Sequence, residues 1–162
     1  MEEKRYAGLT YPEAVDKYAS IVLSACVVRL KSLPDAEDCT QETFLKLYTK
    51  SPSFHDESHL KAWLLRVALN ECRHTIRARR FHLPLEAADT LPFPSPEDKQ
   101  DISALLMELP EKYREVLWLY YGLHYQSDEI ASILSKNPNT VRTLLKRGRE
   151  MLKKQLGGES GE

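Results

Sequence analysis

The sequence has no apolar run long enough to cross a bilayer. The longest, IVLSACVV from Ile21 to Val28, falls well short of the roughly 20 residues a spanning helix needs. The polar N-terminus MEEKRYAGLTY has no apolar stretch of the signal-peptide kind, so a cytoplasmic protein is expected. Cysteine is scarce: Cys26, Cys39 and Cys72 are odd in number, far apart and without a CxxC pair. That pattern fits neither a disulfide framework nor a paired-cysteine metal site, and buried thiols on helix core faces are expected. His55 and His59 share i, i+4 spacing, but the Ser/Asp-rich stretch after Pro52 reads as a loop, so the zinc signal is weak. A Gly-rich phosphate loop, a nucleophile elbow and a metal-ligand cluster are also missing, which argues against an enzyme. No segment keeps a strand-like alternation, which leaves an all-α fold.

What is there is globular in kind. The 162 residues are 42% hydrophobic and 29% charged, enough for one medium domain or two small ones. Four of the nine prolines (Pro84, Pro92, Pro94, Pro96) fall in LPLEAADTLPFPSPEDKQD, an acidic stretch with little apolar periodicity. It reads as a flexible linker. The expected organisation is an N-terminal helical domain over 1–83, a linker over 84–98, a C-terminal helical domain over 99–157 and a disordered tail over 158–162. Helical spacing predicts elements at about Tyr11 to Leu30, Asp35 to Lys50 and Ser58 to Arg80, with Asp35 as N-cap of the second and Asp38 completing a capping-box-like pair. The C-terminal unit should open with a helix at about Asp98 to Glu108, break at Pro110, continue through EKYREVLWLYY, and end in QSDEIASILS and NTVRTLLKRGREMLKKQL.

The formal net charge of −1 hides a segregation. Residues 136–154 carry seven Lys/Arg against one Glu, while residues 84–103 carry five acids against one Lys. The basic segment is the second of two short helices joined by a tight turn, the pattern of a helix-turn-helix. At 100° per residue Val141, Leu144, Leu145, Gly148, Met151 and Leu152 share one side, and Arg142, Lys146, Arg149 and Lys153 the other. Ile130, Ala131 and Leu134 would receive the apolar side, Asn137 would cap the helix, and Pro138 fits its first turn. Asn139, Thr140, Arg142 and Thr143 then stand at the end that enters a major groove, with side chains suited to base edges.

In the N-terminal unit, LKAWLLRVALNECRHTIRARR places Trp63, Leu64, Val67, Ala68 and Cys72 toward a core and ends in Arg73, Arg77, Arg79 and Arg80. The loop before it, SPSFHDES, holds one aromatic expected to be exposed, Phe54. An aromatic loop followed by a basic helix end suits single-stranded or opened DNA, where bases stack and phosphates meet Arg. The stretch DAEDCTQETFLK, by contrast, puts four carboxylates into eight residues. On a wheel Ala36, Thr40, Thr43 and Leu47, flanked by Cys39 and Phe44, face inward, and Asp38, Gln41, Glu42 and Leu45 face outward. Phosphate is repelled by such a face, so its partner should be a protein.

Four motifs in order, DAEDCTQETFLKLY (35–48), SFHDESHLKAWLLRVALN (53–70), LPEKYREVLWLYY (109–121) and DEIASILSKNPNTVRTLLKRGREML (128–152), resemble the sigma-70 family of bacterial transcription initiation factors, in its small extracytoplasmic-function (ECF) form. The resemblance covers most of the chain. It implies a region 2-like three-helix unit and a region 4-like helix-turn-helix unit. It implies core RNA polymerase (its beta-prime clamp helices and beta flap), promoter DNA and an anti-sigma factor as partners, with no direct membrane insertion and no cofactor. Carried over by position, it implies that Asp38, Gln41, Glu42 and Leu45 dock on the clamp helices. It implies that Phe54, Ser58, His59, Asn70, Arg73 and Arg77 recognise the minus-10 element, and that Asn139, Thr140, Arg142, Thr143, Lys146 and Arg147 read the minus-35 element. No step would be catalytic in the factor itself.

The chain departs from the family pattern at Cys39 and Thr40, where Leu or Val is common, at His74, where an Asp is common, at Leu144, where a basic residue is usual, and at Lys136-Asn137-Pro138, where Gly-Ile-Ser is usual. Two other readings stay open from the residues. One is a helix-turn-helix regulator that binds a palindromic duplex site as a dimer without polymerase. The other is an adaptor that binds polymerase or an inhibitor without reading promoters.

Overall fold

The computed structural model describes residues 4–50, 52–79 and 100–159, and these are all-α apart from turns and a single bridge between Tyr6 and Leu9. Backbone contacts divide the chain into two compact units, Met1–Pro92 and Phe93–Glu162. The expected linker at 84–98 lies outside the described residues.

The first unit is three packed helices, α1 (Tyr11–Leu30), α2 (Leu33–Lys50) and α3 (Glu57–Arg79). Before α1 the chain makes a tight turn in which Tyr6 and Leu9 exchange backbone hydrogen bonds of 2.7 and 3.0 Å. Ala7 and Gly8 at its centre are both left-handed, with φ of 52° and 86°. A capping box then starts α1: Thr10 Oγ1 accepts from the Glu13 N–H at 3.2 Å, and Glu13 Oε1 accepts from the Thr10 N–H at 2.8 Å. Satisfying two orphan donors in this way is worth on the order of 1 kcal/mol. The second half of α1, Ser24 to Val28, is buried on every side, as a helix wedged between two others must be.

Only Lys31 and Ser32 separate α1 from α2. Lys31 turns the chain in the left-handed region at φ 54°, and Ser32, not Asp35, caps α2. The Ser32 hydroxyl accepts from the Asp35 N–H at 3.3 Å and its carbonyl from the Ala36 N–H at 2.9 Å. The expected Asp35 cap and its Asp38 pair are therefore displaced by a hydroxyl three residues earlier. The Asp35 carboxylate is thereby free for a longer reach, and it accepts from Arg79 Nη2 at 2.6 Å. Other polar ties join the helices: Tyr11 donates to the Phe44 carbonyl at 2.8 Å, Lys46 pairs with Glu71, and Glu57 Oε1 accepts from Lys17 at 2.5 Å and from Tyr18 at 2.6 Å. Between them lies a core of Val22, Leu47, Leu60, Leu64, Leu65 and Ala68, each at most 1% exposed. Each buried Leu or Val contributes roughly 1.5–3 kcal/mol relative to exposure.

The second unit contains α4 (Gln100–Met107), α5 (Glu111–Leu117), α6 (Ser127–Leu134) and α7 (Pro138–Glu159). Pro110 breaks the chain before α5 as expected. Beyond Leu117 the helix widens into one π turn, Trp118–Gly122, which the sequence did not announce. Gly122 lies against the Trp118 ring, where a Cβ would sit 3.3 Å from Cδ1. Gln126 and Glu129 form a capping box at α6, and α6 ends at Ser135, left-handed at φ 56°. Asn137 caps α7, its Oδ1 accepting from the Asn139 N–H at 2.8 Å and its carbonyl from the Val141 N–H at 3.1 Å. Gly148 is where α7 crosses α5: a Cβ there would come within 2.9 Å of Leu117 Cδ1. Ile130, Ala131, Leu134, Val141, Leu144 and Leu145 complete this core. The final helix runs to Glu159, into the segment expected as a tail.

Candidate functional site

Three surfaces gather the residues singled out by the sequence. The first is the outer side of α2. Asp38, Gln41 and Leu45 are exposed and Glu42 is half-buried, while Ala36, Cys39, Thr43, Phe44 and Leu47 are buried on the other side. Leu45 is 51% exposed, and one turn on Tyr48 is 62% exposed, so an apolar pair extends an otherwise acidic face. Tyr48 is propped by an edge contact to Tyr11, ring centroids 5.3 Å apart. Tyr48 was not anticipated, although its i, i+3 spacing from Leu45 was visible. Beside this face a groove between α1 and α2 is lined by Ala19, Ser20, Leu23, Glu37, Thr40 and Gln41.

The second surface is the loop before α3 together with one side of that helix. Phe54 is half-buried rather than exposed, because its ring meets His59 at 5.2 Å and Trp63 at 5.7 Å, both edge to face. His55 stacks on His59 at 5.2 Å and donates its N–H to His59 Nδ1 at 3.2 Å. Trp63, expected in the core, is only half-buried and carries this aromatic cluster onto the outer side. Ser58 and His59 are exposed in the first turn, and Asn70, Arg73 and Arg77 are exposed further along. The spacing His59, Trp63, Arg66, Asn70, Arg73, Arg77 alternates four and three residues, so all six lie on one stripe. At 1.5 Å per residue the stripe runs about 27 Å. Arg66, also exposed, belongs to the same stripe, as its spacing of three from Trp63 and four from Asn70 already allowed. Arg79 leaves the set of DNA-facing arginines: it donates to Asp35 and to the Leu30 carbonyl at 3.3 Å, tying the end of α3 to the α1–α2 corner. Arg80 lies outside the described residues.

The third surface is the start of α7. Asn139, Thr140, Arg142, Thr143, Lys146 and Arg147 are all exposed. Arg142 is drawn back along the helix, its guanidinium hydrogen-bonded to Asn139 and 3.5 Å from Asp128 Oδ1 on α6. Both partners of that ion pair are well exposed, so the contact is worth at most about 1 kcal/mol and yields readily to another anion. Leu144 is buried, so it contributes to the core and not to the exposed basic side of α7. Arg149 lies over the Tyr120 ring, 5.8 Å from its centroid.

Among the described residues no helix is long and apolar enough to cross a membrane, and no group of His, Cys, Asp and Glu is arranged to hold a metal ion.

Comparison with known proteins bears on both units. The family model for sigma-70 region 2 matches residues 14–82, and that for sigma-70 region 4 matches residues 99–152. The chain is 33% identical to the ECF RNA polymerase sigma factor SigW of Bacillus subtilis, an alignment covering 90% of this chain and 88% of that protein. It is 29% identical to SigM of the same organism, over 90% of this chain and 94% of the relative. Among solved structures, the sigma factor RpoE in complex with the anti-sigma factor NepR from Bartonella quintana is similar with a TM-score of 0.75 at 22% identity, covering 91% of this chain and 96% of that one. At that identity the likeness is one of fold.

Proposed function

The chain belongs to the sigma-70 family of RNA polymerase sigma factors, in its ECF group, and from that premise we propose a division of labour among its three surfaces. As an ECF sigma factor it binds core RNA polymerase and directs promoter-specific initiation. Asp38, Gln41, Glu42 and Leu45, extended by Tyr48, dock on the beta-prime clamp helices. Phe54, Ser58, His59, Asn70, Arg73 and Arg77 recognise and help open the minus-10 element. Asn139, Thr140, Arg142, Thr143, Lys146 and Arg147 read the minus-35 element as duplex, with the second unit held near the beta flap. The factor itself makes and breaks no covalent bond; it works in the cytoplasm, and an anti-sigma factor that covers its polymerase-binding surfaces is the regulator this reading implies.

The observation that carries the proposal is the segregation of chemistry within one three-helix unit. An acidic face with exposed Leu45 and Tyr48 lies on α2, and an aromatic and basic stripe lies on α3. Carboxylates repel phosphate, while a protein surface with cations and apolar pockets complements them. The α3 stripe has the opposite character. Holding a base out of the stack costs a few kcal/mol, which an aromatic platform beside Arg offsets by stacking and phosphate contacts of similar size. Neither reader is very selective alone, since one good base contact is worth about 1–3 kcal/mol. Two readers on one polymerase act with a high effective concentration, which multiplies their modest affinities.

The test is reconstitution with sigma-free core polymerase. Wild-type protein should co-elute with core and give promoter-specific transcripts. Leu45→Lys should lose core binding at least tenfold, a change of about 1.4 kcal/mol, with an unaltered helical spectrum. Full core binding by that variant would remove α2 from the docking role. A stable dimer that binds a palindromic duplex without polymerase would favour a plain regulator instead.

A further inference from the structure

Of the three cations in the α7 reading set, Arg142, Lys146 and Arg147, Arg142 alone is held by an acid among the described residues. Its Nη1 lies 3.5 Å from Asp128 Oδ1 on α6, and its Nη2 donates to Asn139 Oδ1, three residues back on α7. Side chains from two helices thus converge on one guanidinium. Asp128 is not needed where it stands to cap α6. The neighbouring Glu129 does that, its Oε1 accepting from the Gln126 N–H at 2.8 Å. A carboxylate in the first turn also gains from the helix dipole, but that gain does not require contact with Arg142. The Asp128 side chain is 80% exposed, so packing does not direct it there either.

The arrangement satisfies two base-reading side chains with one another. Arg reads guanine through the O6 and N7 acceptors, and Asn reads adenine through N6 and N7. While Arg142 donates to Asn139, the Asn139 amide oxygen is occupied, and that is the atom that would accept from an adenine amino group. A phosphate that draws Arg142 away exchanges one anion for another. It also leaves the Asp128 carboxylate without its partner where the first helix of a helix-turn-helix crosses the DNA backbone, and the two negative charges repel. A guanine edge instead offers two acceptors at once and sets Asn139 at liberty for a neighbouring base. The exchange is therefore nearly even on a phosphate and favourable on the right base edge.

We propose that Asp128 is a specificity-determining residue of the minus-35 reader, a positioning residue that acts through Arg142. Together with Asn139 it occupies Arg142 in the unbound protein, so that Arg142 adds affinity at a base edge with two acceptors and little along the phosphate backbone. The inference rests on the reading that the start of α7 meets the minus-35 duplex, and adds what restrains that helix from other sequences. Both partners of the pair are exposed, Arg142 at 54% and Asp128 at 80%. The restraint is therefore a matter of roughly two- to fivefold, the range an exposed ion pair allows, and not a block.

The test uses holoenzyme, the full chain on core polymerase, with two duplex promoters that share one minus-10 element. One carries the minus-35 sequence that wild-type holoenzyme selects from a randomised pool, and the other a scrambled one. Asp128→Asn should strengthen binding to the scrambled promoter by roughly two- to fivefold and alter binding to the selected one less, so the ratio of the two affinities falls. In an Arg142→Ala background the same substitution should leave the ratio where it is. Glu150→Gln removes an exposed acid about two turns further along α7 and should keep the wild-type ratio. An unchanged ratio in Asp128→Asn would overturn the proposal, as would an equal fall in Glu150→Gln or in the Arg142→Ala background. Weaker binding of Asp128→Asn to both promoters alike, with a lower melting temperature, would reduce Asp128 to a helix-start residue and overturn it too. An Arg142→Ala protein with both affinities untouched, or a pool that yields no minus-35 preference, would remove the minus-35 reading itself, a failure distinct from the others.

Discussion

The two units solve the problem of presenting a binding surface in different ways. The first divides one small bundle into an acidic and apolar face on α2 and an aromatic and basic stripe on α3, and binds the helices together with long-range polar ties: Arg79 to Asp35, Lys46 to Glu71, Tyr11 to the Phe44 carbonyl. The second presents one face, the start of α7, backed by the short helices α5 and α6 through apolar contact and a close crossing at Gly148. A rod entering a duplex groove needs a convex, basic surface and a firm support behind it. A surface that meets both a protein and opened DNA needs two chemistries kept apart, and cross-helix ties keep the faces from rotating into one another.

The largest effects should come from the cores, and they test whether the units are separate at all. Leu64→Ala should lower the stability of the first unit, and Leu145→Ala that of the second, by about 2–5 kcal/mol each. Trp63 and Trp118 lie one in each unit, so their fluorescence during urea unfolding, read singly in Trp118→Phe and Trp63→Phe backgrounds, follows each unit. A shift of both signals by either Ala variant would show that the units unfold as one.

Next come the DNA contacts. Arg142→Ala should cost about 1–3 kcal/mol against the preferred minus-35 base pair and relax the sequence preference there. Arg73→Ala and Arg77→Ala should weaken holoenzyme binding alike across promoters and reduce the salt slope by about one each. Binding measured by fluorescence anisotropy at several salt concentrations separates the two patterns. A base-specific loss at Arg73 would undo the contrast between a stripe that follows phosphates and a helix that reads bases.

A smaller effect is expected at the helix ends. Lys31 and Ser135 both end helices in the left-handed region without being glycine, which costs an L residue roughly 1–2 kcal/mol. Lys31→Gly and Ser135→Gly should each stabilise their own unit, by less than about 1 kcal/mol once the extra freedom of the unfolded chain is counted. Thermal melts in the same single-Trp backgrounds would check it.

The pH profile should differ least in size but tellingly in direction. Hydrogen bonds from Lys17 and Tyr18 hold the Glu57 carboxyl below its ordinary value of 4.5, and the Thr10 cap does the same for Glu13. Their folded-state values are depressed, so their contribution is present above the unfolded value and is lost as pH falls through the folded one. Both belong to the first unit, so acid should loosen the Trp63 signal before the Trp118 signal. At the alkaline end burial pushes Tyr125 up to about 12, and the contribution of that raised group fades as pH climbs from 10 toward 12. Tyr11 is raised as well, so the alkaline limb should appear in both units.

Much of the candidate site could be read from the chain because helical faces are a local property. A period of 3.6 residues separated Leu47 from Leu45 and Leu144 from Lys146 with no knowledge of what lay opposite. Asn137 and Pro138 marked the start of α7 for the equally local reason that the first N–H groups of a helix need an acceptor. The N-cap of α2 was misread because Ser32 and Asp35 are both good caps, and the choice fell to a long-range partner: Arg79, 44 residues away, takes the Asp35 carboxylate.

The chain by itself thus determined which stretches are helical, which side of each is apolar and where the charges collect, since those follow from neighbours within a turn. The tertiary structure alone decided which faces meet. It turned Phe54 onto Trp63 and withdrew Arg79 from the arginines expected to meet DNA. Each of these depends on the rotation of one helix about its axis relative to another. Side-chain packing across the whole unit sets that rotation, and no local pattern encodes it.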